Sequence, residues 1–312
     1  MAVTSAQLTS RMRTWALVAA LTALMITFGA LLGNTFLWLF AALAVLANVG
    51  GYFYSDRIAL RLSRAQPLLE ADSPRVHATV RELAARAGIP IPRLYVTPGE
   101  QPNAFATGRN PQHAALAITE GLLASLPHEH VSGVLAHELA HIQNRDILVS
   151  SVAATIAGAI WAIANILQLS FLFGDDPEDN PLGLLGSLVA LTLAPLAAML
   201  LQLGVSRQRE YLADATAARL LGRGSPLADA LQTIDQRRAP ALAVSPLMAP
   251  MYIVNPLAGR QFTTLFSTHP PVSERIRRLR AYDNARTSPP RHAGSSPLES
   301  RAETPPIAMV GR

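Results

Sequence analysis

Charged residues along this chain are gathered into blocks that leave long stretches bare. Residues 14–55, 147–174 and 180–206 contain no Asp, Glu, Lys or Arg. A bilayer-spanning helix needs about 20 apolar residues. The first run therefore has room for two spans with Gly33-Asn34 as the turn, and the other two runs hold one each. The pattern predicts four spans in two hairpins. Arg11 and Arg13 precede the first run, as in a cleaved leader. That run is too long for a leader's apolar core and has no clear small-x-small cleavage site, so it is expected to stay. Trp15, Trp38, Tyr52 and Tyr54 fall near the predicted span ends, where amphipathic rings favour the headgroup level.

Between the apolar runs lie two polar blocks, neither large enough to bury a sizeable core alone. They are expected to form one domain split by the second hairpin. The predicted organisation is a transmembrane hairpin over 1–55, the first part of the polar domain over 56–146, the second hairpin over 147–206 and the second part over 207–285. Residues 286–312, rich in Pro, Ser and Arg, read as a disordered tail. Within the first block, SPRVHATVRELAARAG has the periodicity of an amphipathic helix with Gly88 just past its end. RLYVT and AALAIT read as strands, and PNAFATG as a shorter extended piece. From Ser125, SLPHEHVSGVLAHELAHIQN reads as a helix with Pro127 tolerated in its first turn. SRQREYLADATAARLLG reads as another, closed by Gly222.

Charge sets the expected orientation. Basic residues flank the predicted spans at Arg11, Arg13, Arg57, Arg61, Arg64, Arg145, Arg207 and Arg209, whereas the loop GDDPEDNP between the last two spans carries only acids. Basic flanks stay in the cytoplasm, so both termini and the polar domain are expected there, in a multi-pass membrane protein. All 26 basic residues are Arg, and they bring the net charge to +5. Arginines beside anionic headgroups account for much of this excess. Nucleic-acid binding would call for a basic patch interleaved with aromatics. None occurs, so the expected partners are the bilayer and protein substrates, and nothing in the pattern sets an oligomeric state. There is no Cys, which excludes disulfides, a thiol nucleophile and a thiolate metal site.

The chemistry gathers where the first polar block meets the third apolar run. His137 and His141 are four apart on a predicted helix, so they share a face and can bind one metal ion. Glu138 lies beside them, roughly 100° round the helix, placed to take a proton from metal-activated water. HExxH on a helix is a short metalloprotease signature. The longer pattern with a third His fails, because Ile147 stands at that position. A carboxylate ligand is available in REYLAD. Glu210 and Asp214 share a helix face, and by spacing alone either could bind, with the other holding a ligand His through its second ring nitrogen.

Four motifs in order, NAFATG (103–108), HELAHIQNRD (137–146), REYLAD (209–214) and STHPPVSERI (267–276), interleave with the predicted spans. In this layout the chain resembles the HtpX-type membrane zinc metallopeptidases and, more distantly, the CAAX prenyl proteases. The resemblance implies an α+β integral membrane protein, with a mainly helical, gluzincin-like catalytic domain, a small β-sheet and four transmembrane helices. It implies one Zn²⁺ per subunit held by His137, His141 and Glu210, Glu138 as the catalytic acid/base, and Asp214 and Arg275 as supporting residues. His269 would donate to the oxyanion of the tetrahedral intermediate, and Asn103, Ala104 and Phe105 would line an edge strand to which an extended substrate adds. The implied activity is endopeptidase cleavage of damaged membrane proteins at the cytoplasmic face. Rival readings are an intramembrane or prenyl-protein processing protease, and a non-enzymatic zinc-binding scaffold or holdase. His77, His113, His128, His130 and His292 are read as surface residues without partners.

Overall fold

The computed structural model describes residues 5–148, 207–237, 251–253 and 270–287. Predicted spans three and four, His269, His292 and the tail from residue 288 lie outside the described residues. The first hairpin consists of α1 (Ser5–Leu32) and α2 (Asn34–Leu62), broken at Gly33, whose φ of 117° is left-handed backbone that favours glycine. Among the described residues α2 is the one helix long and apolar enough to cross a membrane, while α1 holds a shorter apolar stretch, Val18–Thr27. The two helices are tied by Asn48 Nδ2 donating to Thr22 Oγ1 at 2.8 Å. The outer face of α2 stays open, with Trp38, Leu46 and Val49 all at least half exposed. That is the distribution expected of a helix whose solvent is lipid.

The polar domain begins with a short strand, β1 (Gln66–Pro67), and α3 (Pro74–Ala87). Pro74 opens α3, where its missing N–H costs nothing, and Gly88 closes it at φ 65°. Three strands follow, β2 (Arg93–Thr97), β3 (Ala104–Thr107) and β4 (Ala115–Thr119). The sheet order is β1-β2-β4-β3, with β2 parallel to β4 and the two outer pairs antiparallel. β4 is central, and all five of its residues are buried, as its unbroken apolar run requires. Thr119 pins the junction. Its hydroxyl accepts from the N–H groups of Asn103 and Leu122, at 2.8 and 3.1 Å, which fixes the start of β3 and caps the next helix.

That helix, α4 (Glu120–Ser125), is separate from α5 (His128–Asn144). The sequence predicts one helix running from Ser125, but Pro127 disfavours helical backbone at Leu126, which is extended at φ −105°, ψ 140°. α5 buries Val131, Val134, Leu135, Leu139 and Ile142, a three-and-four spacing worth about 1.5–3 kcal/mol per side chain removed from water. It packs against α6 (Arg207–Leu221) and α7 (Ser225–Gln236). The last described helix, α8 (Val272–Thr287), lies on α6 and α7. A single apolar cluster joins Leu83, Leu116, Leu135 and Ile142 to Ala217, Leu231 and Leu279, so both polar blocks contribute to one core.

Candidate metal centre

α5 and α6 face each other, and their inward polar residues meet in an otherwise apolar core. His137, Glu138, Glu210 and Asp214 are all under 5% exposed. Unpaired burial of such groups would be costly, so their arrangement carries information. The Nε2 atoms of His137 and His141 are 3.1 Å apart. Glu210 reaches both, Oε1 lying 3.6 Å from His141 Nε2 and Oε2 3.7 Å from His137 Nε2. Donors held at about 2.0–2.1 Å in a tetrahedron lie roughly 3.3 Å from one another. One ligand atom from each of the three residues lies within 4.8 Å of the other two, close enough to share a single ion, and two imidazoles with one carboxylate suit zinc.

Each histidine also has a carboxylate behind it. His137 Nδ1 is 2.9 Å from Asp214 Oδ1, and His141 Nδ1 is 3.4 Å from Asp146 Oδ2. Protons on both Nδ1 atoms would leave both Nε2 lone pairs aimed at the shared point. Spacing alone left Glu210 and Asp214 interchangeable. The structure separates them, with Glu210 on the Nε2 side and Asp214 on the Nδ1 side. Asp214 is in turn gripped by fully buried Arg275, whose Nε and Nη2 donate to its two oxygens at 2.9 and 2.8 Å. Arg275 Nη1 also donates to the Ile253 carbonyl at 3.2 Å.

Asp146 is the residue that sequence reasoning passed over. It lies outside the helix, beyond the reach of face-sharing arguments. Arg145 takes left-handed backbone at φ 63°, and the turn lets the Asp146 N–H donate to the His141 carbonyl at 3.0 Å. This brings the Asp146 carboxylate, 5% exposed, beneath the His141 ring. Left-handed backbone at a non-glycine residue leaves no mark in the sequence.

These surroundings separate the ionisable groups. Burial pushes His137 down to about 4, aided by the Arg275 charge and opposed by Asp214. Burial acts the same way on His141 but is outweighed by Asp146 and Glu210, which pull it up to about 9. Glu138 rises to about 7, chiefly through burial, with the Glu210 charge adding to the effect. Asp214 is also penalised by burial, but Arg275 and His137 hold it down to about 2. Glu138 is thus the carboxyl poised to exchange a proton near neutrality.

Glu138 accepts a backbone hydrogen bond from Ala106 in edge strand β3. The Thr119 N–H donates to the Asn103 carbonyl, so the backbone groups of Ala104 and Ala106 turn away from β4. The Ala104 carbonyl accepts from the Ile253 N–H at 3.2 Å, and Tyr252 packs edge-on against Phe105 at 4.9 Å. Asn103, Ala104 and Phe105 are fully buried. Outside the site, three of the histidines read as partnerless have local partners. His77 meets the Leu68 carbonyl, His113 meets Asn110 Oδ1 and His128 meets Thr79 Oγ1, at 2.9, 2.8 and 3.1 Å.

Known proteins resemble this chain over most of its length. Residues 70–283 match the model of peptidase family M48. A "Protease HtpX homolog" of Syntrophobacter fumaroxidans is 51% identical over 87% of this chain and 99% of its own length. Another, from Pelotomaculum thermopropionicum, is 48% identical over 87% of this chain and 99% of its own length. A solved structure, that of S. mikatae Ste24p, aligns with a TM-score of 0.49 at 21% identity, over 88% of this chain and 66% of that one. With a family match over most of its length and relatives near half identity throughout, the chain belongs to the HtpX-type metalloproteases of peptidase family M48.

Proposed function

We propose that this protein is a zinc-dependent endopeptidase that cuts damaged membrane proteins in segments exposed at the cytoplasmic face. In this reading His137, His141 and Glu210 hold the ion, which when bound supplies Lewis-acid activation of water and of the scissile carbonyl. Glu138 takes the proton from the attacking water and passes it to the leaving amine. Asp214 and Asp146 keep the histidines in the tautomer that presents Nε2. Arg275 neutralises Asp214, and its bidentate grip prevents the carboxylate from rotating away.

The observation that carries the reading is the pairing of a three-donor cluster with a buried carboxyl of raised pKa. A structural zinc site is usually closed by four protein ligands. Here three donors converge and a proton-exchanging group stands beside them, which favours catalysis over a scaffold role. His269, given an oxyanion role by resemblance, lies outside the described residues. For Asn103, Ala104 and Phe105 the proposed substrate role narrows to backbone. Their side chains are buried, so they would act by holding β3 as a rail beside Glu138.

The membrane part of the proposal rests on the apolar α2, the open face it presents and the basic residues at its polar end. Four spans with a cytoplasmic peptidase domain would place the centre close to the bilayer surface, because the third apolar run begins at Ile147. The test is degradation of casein by detergent-purified protein, with metal analysis of the same preparation. About one zinc per chain, loss of activity on chelation and recovery on adding zinc are expected. Activity that survives complete metal removal would overturn the proposal.

A further inference from the structure

A cavity of about 260 Å³ opens between the N-terminal hairpin and the point where the chain leaves the peptidase domain. Trp15 and Val18 of α1, Val49, Tyr52 and Phe53 of α2, and Leu148 line it. Asn48 also faces the cavity, but its amide nitrogen is already committed, donating to Thr22 Oγ1 and to the Ala44 carbonyl, both at 2.8 Å. Its Oδ1 is buried without a partner among the described residues, and the rest of the cavity wall is apolar. Val49 and Phe53 are 50% exposed beside it, so it opens along the outer side of α2.

Its rim is positively charged. Phe53 belongs to the wall, and the Arg109 guanidinium lies 5.6 Å from the centroid of the same ring. Arg109 comes from the turn between β3 and β4, and its Nη1 donates to the Phe53 carbonyl at 3.4 Å. One helical turn beyond Phe53 on α2, Arg57 lies 5.5 Å from the Tyr54 ring centroid. The nearby acid Asp56 is matched by Arg93 at 2.6 Å. Among the described residues no carboxylate pairs with Arg57 or Arg109. A guanidinium has five N–H donors in a fork that suits phosphate, and the single contact to Phe53 leaves Arg109 most of them.

We infer that this cavity is a binding site for one anionic glycerophospholipid, with part of an acyl chain against Val49 and Phe53 and the headgroup phosphate on Arg109 and Arg57. The proposal uses the membrane reading of α2 and none of the peptidase chemistry. An apolar slot alone would accept any lipid tail; the Arg109 guanidinium beside Phe53, with Arg57 one helical turn further along α2, selects charge. The site also joins the membrane to the active-site strand, because Arg109 follows β3, whose Ala106 hydrogen-bonds Glu138.

Native mass spectrometry of the detergent-purified full chain tests this, with dioleoylphosphatidylglycerol titrated against dioleoylphosphatidylcholine. Wild type should retain one phosphatidylglycerol with roughly fivefold to thirtyfold preference, the scale of one or two basic residues near a headgroup. Arg109→Gln should lose the preference and Val49→Trp, which fills the cavity, should reduce retention of both lipids. Arg61→Gln, two helical turns beyond Phe53, should behave as wild type. Equal retention of the two lipids by wild type would overturn the proposal. So would an equal loss in Arg61→Gln and Arg109→Gln, which would mean a diffuse basic surface and no built site. Should Val49→Trp fail to fold, the two arginine variants still decide the matter.

Discussion

His137 and His141 point their Nε2 atoms at one place from opposite electrostatic surroundings, and this has a measurable consequence. In the metal-free protein His137 is neutral down to about pH 4, whereas His141 holds its proton up to about pH 9. A ligand imidazole must be neutral. Metal binding near pH 8 should therefore displace one proton, from His141, and affinity should rise about tenfold per pH unit until pH approaches 9. Metal titrations across pH 7–9 check this, and a flat profile would mean that His141 is not protonated in the free site. The two carboxylates behind the histidines can be compared in the same way. Asp146→Asn and Asp214→Asn should each weaken zinc binding about 10–100-fold. Asp214→Asn should also lower stability, since it removes the bidentate partner of buried Arg275 and leaves only Glu210, 3.8 Å away, a loss of up to about 3–5 kcal/mol. An Asp146→Asn variant with wild-type zinc affinity would remove Asp146 from the metal centre.

At the scale of elements, the crossing of α5 and α7 depends on a residue with no side chain. A Cβ on Gly133 would come within 2.5–2.8 Å of the backbone of Pro226 and Leu227. Backbone at a helix start cannot give way as a flexible side chain would. Gly133→Ala should therefore cost about 1–3 kcal/mol, read as a lower thermal midpoint in detergent, whereas an unchanged midpoint would mean the crossing is looser than described. Elements whose signals are local were legible in the sequence. α3 ends at Gly88 and α6 at Gly222, as their glycines imply, and RLYVT forms β2. The Glu120–Ser125 helix was not, because Thr119 caps it with a hydroxyl that also anchors Asn103 sixteen residues away. The metal cluster was legible because His137 and His141 are four apart on one helix and Glu210 and Asp214 four apart on another, although spacing did not say which acid binds. Asp146 was not, because its placement depends on the backbone of Arg145. The covering of Ala104 by Ile253 pairs segments far apart in sequence, and no local pattern announces it.

The whole molecule joins a candidate metal centre in the core to a hairpin whose outer surface is apolar. The orientation can be read directly because the chain has no cysteine, so single-cysteine variants start from an unreactive background. Asn34 stands at the turn between α1 and α2, and Gln236 ends α7 in the polar domain. In intact cells a membrane-impermeant maleimide should label Asn34→Cys, and should reach Gln236→Cys only after permeabilisation. The reverse pattern would put the peptidase domain outside. The central claim is narrower than orientation: hydrolysis depends on Glu138 acting beside a metal held by His137, His141 and Glu210. Glu138→Gln keeps nearly the same shape and changes none of the three donors. The most direct measurement is therefore zinc content and casein hydrolysis on wild type and Glu138→Gln purified side by side. The account predicts equal zinc and hydrolysis lower by at least about 100-fold, the usual scale of a lost general base. Equal zinc with hydrolysis near the wild-type rate would contradict it.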